Sequence, residues 1–185
     1  MSEPRIPPLP PDRWDGDLKR ILEATPSGID RRLGDNNIFP TIAQHPELFR
    51  AWLPFGGFLL TAGKLSGRDR ELLILRTAVN IRSSYEWGQH VRISLDGGIE
   101  REAIDRVLEG ADADGWTPHE AALMRAADEL HRDSRISDGT WEALAETYDN
   151  EQLIETAMVV GHYHMVGFAL NSLGVELDEG LEPLP

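Results

Sequence analysis

Apolar residues recur at helical spacing along most of the 185-residue chain, and no segment shows sustained two-residue alternation bounded by turns. Trp14 to Ala24 places Leu18, Ile21 and Leu22 on one side, which predicts a short amphipathic helix. Pro46 to Thr61 reads as a helix with Pro46 and Glu47 in its first turn and Leu48, Phe49, Trp52, Leu53, Phe55, Phe58 and Leu59 along it. Pro54 and the Gly56-Gly57 pair are expected to bend or interrupt it, and Gly63 marks its end. Ser66, with Asp69 three residues on, has the spacing of a helix N-terminus, and Leu72 to Leu75 is apolar all round, as in a central buried helix. A short helix is expected over Ile99 to Leu108, followed by an acidic surface loop from Gly110 to Gly115. Thr117-Pro118-His119-Glu120 combines a capping Thr, a Pro at the first position and a Glu at the third. The helix it opens runs to about Arg132 and buries Ala121, Leu123, Met124, Ala127 and Leu130. Ser137 to Tyr148 and Asn150 to Leu173 are two more, the last opened by Asp149 with Gln152 and closed by Gly174.

This pattern predicts an all-α fold, a bundle of about eight helices. Met1 to Pro11 holds five of the twelve prolines and reads as an extended arm, and Thr25 to Asn37, rich in turn residues, as a loop. The chain divides into an arm and short helix over 1–36 and a helical domain over 37–185.

Composition narrows the chemistry. A hydrophobic fraction of 41% and a charged fraction of 27% are ordinary for a soluble globular protein. The net charge of −14 repels phosphate backbones and anionic lipid, so neither nucleic acid nor membrane is expected as a partner. The N-terminus has no apolar signal region and no apolar run approaches the ~20 residues of a membrane span, so a cytoplasmic protein is expected. There is no cysteine, which excludes disulfides, thiol catalysis and cysteine metal sites.

Candidate chemistry gathers between Ser66 and Gly98. Glu86 and His90 stand one helical turn apart on one face, with Ser83 at the same helix's start and Glu71 in the preceding segment. Ser83-x-x-Glu86 is also capping-box spacing, so Ser83 and Glu86 have a purely structural alternative. Trp87, Val91 and Leu95 face elsewhere and read as core. In the last helix His162 is a candidate for a pocket wall, and His162 and His164, two residues apart, point in different directions and cannot share a metal. No zinc, Walker, Rossmann or Gly-x-Ser-x-Gly motif occurs, and neither a metal nor a cofactor is expected.

The spacing Glu71-x11-Ser83-x2-Glu86-x3-His90 resembles the carboxymuconolactone decarboxylase and AhpD-like superfamily, whose redox members carry two cysteines where this chain has Ser83 and Glu86. The Arg68-x-Arg70-Glu71-Leu72 lead-in, the Tyr85-Glu86-Trp87 signature and Gly97-Gly98 add to the likeness, which extends from about Asn37 onward. The resemblance implies an AhpD-like helical fold, a homotrimer or homohexamer, and the decarboxylase-type branch, since thiol peroxidase chemistry needs a thiolate. It further implies a cofactor-free lyase acting on a small carboxylated lactone or related carboxylate. Glu71, Glu86 and His90 are then catalytic, and Ser83, Tyr85, Trp87 and His162 are substrate-binding. Arg76 or Arg82 can neutralise the substrate carboxylate. Isomerisation, dehydration or hydrolysis by the same residues, and a non-catalytic oligomeric binding or assembly module, remain as alternatives.

Overall fold

The computed structural model describes residues 3–25 and 31–185; part of the expected Thr25–Asn37 loop therefore lies outside the described residues. Among those described, the chain forms nine α-helices, two short 3-10 turns and no strand. The helices are α1 (Gly16–Leu22), α2 (Ile38–Ile42), α3 (Pro46–Thr61), α4 (Gly67–Asn80), α5 (Ser84–Asp96), α6 (Arg101–Glu109), α7 (Pro118–Asp133), α8 (Asp138–Ala145) and α9 (Asn150–Leu173).

The helix starts follow local chemistry. The Ser66 hydroxyl accepts the Asp69 N–H, and Thr117–Glu120 and Asp149–Gln152 each form a reciprocal capping box. Gly174 closes α9 in the left-handed conformation that favours glycine. Two expectations need correction. Helix α3 runs unbroken through Pro54 and the two glycines. Pro54 and Arg50 are both exposed, so water can satisfy the Arg50 carbonyl that loses its helical donor. Leu95, expected in the core, is 44% exposed in the last turn of α5, and Ala121 and Leu130 are only partly covered.

Helix α4 is the axis of the bundle. It packs against α5, α6, α7 and α9 and buries Leu72, Leu73, Ile74 and Leu75 completely, which explains its run of apolar residues on every face. Arg76 leaves this helix to clamp Asp128 of α7 with two ion-pair hydrogen bonds of 2.6 and 3.0 Å, and a third bond reaches the Val107 carbonyl at the end of α6. The N-terminal segment has its own apolar cluster, in which Leu9, Trp14, Leu18 and Leu22 pack with Ala43 and Phe49. The arm is thus fixed on the bundle, with the Trp14 indole N–H bonded to the Leu9 carbonyl.

The C-terminal tail beyond α9 straps across α5. Asp178 is buried. One of its oxygens accepts the Asn37 N–H at 2.8 Å, and the other accepts the Tyr85 hydroxyl at 2.8 Å and the Gln89 side-chain amide. Gly88 is required where the tail passes, because a Cβ there would stand 2.7 Å from the Glu182 carbonyl oxygen. Gly88→Ala is expected to lift the tail, lowering stability by about 1–3 kcal/mol as an overpacking substitution does and exposing residues 176–185 to protease. Urea unfolding and limited proteolysis check this; unchanged stability with undiminished protection would show that the tail's path does not depend on Gly88.

Candidate functional site

Glu71 sits in the first half of α4, immediately before the buried apolar run Leu72 to Leu75. The turn after α4 reverses the chain through Arg82, whose positive φ of 54° is rare for a residue with a side chain. Helix α5 then returns beside α4 and brings His90 back to Glu71. His90 Nδ1 and Glu71 Oε2 are 2.7 Å apart, and both residues are almost wholly buried. The other Glu71 oxygen accepts the Arg70 side chain at 3.0–3.1 Å, so the order is guanidinium, carboxylate, imidazole. Burial works to raise the Glu71 pKa, but the charges and hydrogen bonds of His90 and Arg70 outweigh it and hold the carboxyl below its ordinary value. Glu71 is therefore ionised at neutral pH, and its hydrogen bond fixes the His90 ring.

Glu86 is the opposite case. It lies one turn before His90 on α5, fully buried, and neither carboxyl oxygen has a hydrogen-bond partner. Burial alone pushes its pKa well above the usual carboxylate range, which favours the protonated form. Tyr163 of α9 lies between the two acids. Its ring meets His90 edge-on with centroids 4.9 Å apart, and both Glu71 and Glu86 act on its hydroxyl, whose pKa burial raises. Gly167, one turn further along α9, leaves room for Glu86: a Cβ there would collide with Ile81 and stand 3.5 Å from Glu86 Oε2.

His162 closes the site toward α3. Its ring stacks on Trp52 at 6.2 Å and 10°, meets Phe55 edge-on at 5.2 Å, and lies against Gly56, where a Cβ would be 3.1 Å from Nε2. Burial first, and then the nearby His90, push its pKa down to about 4, so the ring is neutral, and its Nδ1 is buried without a partner. His164 points the other way: its Nδ1 donates to the Val160 carbonyl, which leaves Nε2 to accept from His131 Nδ1 at 2.9 Å.

The structure thus brings Glu71, His90, Glu86 and His162 around Tyr163. It overturns the capping alternative for Ser83 and Glu86. The Ser83 hydroxyl makes no cap bond and is itself buried without a partner, and Glu86 bonds no backbone N–H. The capping spacing is present, but α5 begins inside the bundle, where Glu86 turns into the core rather than back along the helix end. Trp87 is fully buried with its indole N–H also unpartnered. Tyr85 belongs to a different network: its hydroxyl accepts the Ile38 N–H and donates to Asp178, which commits it to holding the tail. Arg76 is engaged with Asp128, and Arg82 serves the turn. Tyr163 and Arg70 are the participants that sequence spacing did not single out; for Arg70, adjacency to Glu71 was the available signal. Two surface cavities occur elsewhere: one of about 550 Å³ lined by Arg31, Asp35, Asn37, Asp178 and Glu179, and a smaller one beneath the tail at Gly88 and Leu95. Neither reaches Glu71, Glu86 or His90.

The chain is therefore an all-α bundle with a buried acid–histidine cluster at the join of α4, α5 and α9. Residues 46–129 match the model of the carboxymuconolactone decarboxylase family. That match takes in α3 to most of α7, with Glu71, Ser83, Glu86 and His90 inside it. An AhpD-core, peroxidase-related protein from Ralstonia eutropha is 22% identical, with a TM-score of 0.79 over 96% of this chain and 95% of its own. A peroxidase-related protein from Silicibacter is 15% identical, with a TM-score of 0.80 over 100% and 95%. The debrominase Bmp8, in a variant complexed with 2,3,4-tribromopyrrole, is 13% identical, with a TM-score of 0.79 over 94% and 91%. At these identities the likeness is one of fold. No curated protein matches the sequence.

The two acids make opposite statements about pH. A carboxyl whose pKa is raised by folding keeps its proton where the unfolded chain has released it, so stability falls as pH rises above the ordinary value of 4.5. One such proton corresponds to about 1.4 kcal/mol per pH unit until the folded pKa is reached. Glu86→Gln keeps the shape and removes the titration. Its stability relative to the parent protein is expected to improve as pH rises above 4.5, and to level off once the folded pKa is passed, in urea unfolding. Parallel profiles for the two proteins would show that Glu86 is not held protonated.

Proposed function

We propose that the protein is a cofactor-free lyase that decarboxylates a small carboxylated lactone or a related carboxylate by acid–base chemistry. The observation that supports this most is Glu86, a buried carboxyl with both oxygens unpartnered and its pKa raised by burial, beside a histidine fixed by an ionised glutamate. Cysteine is absent, so the thiol chemistry of the family's redox members is excluded. Decarboxylation breaks the bond between the ring carbon and the carboxylate, CO2 leaves, and the bonding pair stays on the carbon conjugated with the lactone carbonyl. That carbon needs one proton, and a buried neutral carboxylic acid is suited to deliver it. His90, oriented by Glu71, then takes a proton from water and passes it to Glu86, so that one proton is consumed for each CO2 released. Low polarity around the cluster favours loss of charge from the substrate carboxylate. Isomerisation or lactone hydrolysis draws on the same acid and base.

A second reading is a non-catalytic assembly or binding module in which Arg70, Glu71 and His90 form a buried structural ion pair. The observation in its favour is the closed site, which neither surface cavity reaches. A screen of small carboxylated lactones, followed by CO2 release and ultraviolet absorbance, separates the two. With a substrate in hand, Glu86→Gln and His90→Gln are each expected to lower the rate by about 10²–10⁴-fold in a folded protein, and the double variant to be little worse than either. Full activity in folded Glu86→Gln would remove that residue from the chemistry. A folded protein that turns over none of the screened lactones would favour the assembly reading.

A further inference from the structure

The outer faces of α3 and α9 carry apolar side chains that nothing among the described residues covers. On α9 the exposed positions Ile154, Met158, Gly161, Met165 and Phe168 follow one another at alternating steps of four and three, the spacing of a helix–helix seam. Ile154 is 64% exposed and Phe168 57%. On α3, Leu48, Ala51, Phe55, Phe58 and Ala62 follow the same alternation and are likewise exposed. The two helices touch, and Phe55 of the α3 seam packs edge-on against His162 of α9, so the seams belong to one face.

We infer that a second copy of this chain docks on the α3–α9 face, related by a two-fold axis passing near Gly161. Three observations specify that occupant. The α9 seam is palindromic in size, with Gly161 at its centre, a methionine on each side and Ile154 and Phe168 at the ends. A two-fold at Gly161 lays it antiparallel on itself, Ile154 against Phe168 and Met158 against Met165, as an isologous contact requires. Gly161 has no reason within the chain: a Cβ there would meet nothing within 4 Å, and a helix-interior glycine costs about 1 kcal/mol relative to alanine. Gly57, exposed within α3, is in the same position. Glycine at the middle of an exposed apolar seam allows two helix backbones to approach closely. Finally, each copy carries a net charge of −14, yet no Asp, Glu, Lys or Arg occurs in α3 after Arg50 or in α9 after Glu155. This is a face on which two copies meet without opposing like charges. Contrary to the expectation from the sequence, helix α9 is long and apolar enough to cross a bilayer, but 56% of its apolar window is buried in the bundle and the chain's net charge of −14 disfavours an anionic lipid surface.

Sedimentation at micromolar concentration tests the pairing. The parent protein is expected to run as a dimer, or as a hexamer assembled from such pairs. Phe168→Glu and Met158→Glu should weaken the pairing at least 100-fold with helical circular dichroism unchanged. Leu95→Glu, at an equally exposed apolar position away from the seam, should leave it intact. Because the chain has no cysteine, single cysteines read the register. Met158→Cys and Met165→Cys proteins oxidised together should form a mixed disulfide. Neither should efficiently join to itself, since like positions lie roughly 10 Å apart along the antiparallel pair. A monomer, a lone trimer, an assembly indifferent to Phe168→Glu, or preferential self-linking of Met158→Cys would each overturn the proposal. So would a monomer that binds neutral phosphatidylcholine vesicles, which would assign the face to lipid.

Discussion

The 2.7 Å contact between Glu71 and His90 ties the centre of the bundle together. An ionised carboxylate buried in α4 beside Leu72 to Leu75 is costly unless it is paired and fully bonded. Here the cost is offset from two directions, by Arg70 on its own helix and by His90 returning on the next. This pairing requires α5 to come back alongside α4, and so requires the left-handed turn at Arg82. It also fixes which face of α5 points inward. Glu86, one turn away on the same helix, is carried into the core by that choice and has no cation of its own.

The result is a pair of acids separated by function although their neighbourhoods overlap. One is held below its ordinary pKa by bonds to both oxygens, and the other is raised well above it by burial that no bond offsets. Tyr163 and His162 extend the cluster to α9, and Trp52, Phe55 and Gly56 of α3 press on His162 from outside. The apolar outer face of α3 and α9 is therefore adjacent to the innermost polar residues of the protein. The proposed association face and the candidate site meet at one side chain, His162.

Helix order and limits could be read from the chain with little ambiguity, because they rest on local interactions. Thr117 with Glu120, Asp149 with Gln152, and Gly174 act within a few residues of themselves, and α3 and α9 begin and end where those signals lie. The approach of Glu71 to His90 was legible from spacing through family resemblance. The same local logic misled at Ser83 and Glu86. Their capping spacing was real, but burial of the helix start gave Glu86 a different surrounding, and a spacing rule contains no information about burial.

By itself the sequence determined the all-helical class, the caps, the absence of thiol chemistry and the strand of residues from Glu71 to His90 that holds the candidate site. Only the tertiary structure decided the assignments within it. Tyr85, adjacent to Glu86 in the chain, is drawn off by Asp178 from a segment 93 residues away, while Tyr163, remote in sequence, stands between the two acids. The reason is physical. Capping and periodicity depend on neighbours a turn apart, whereas protonation, hydrogen-bond partnership and exposure depend on which distant side chains arrive, and that is settled only when the helices pack.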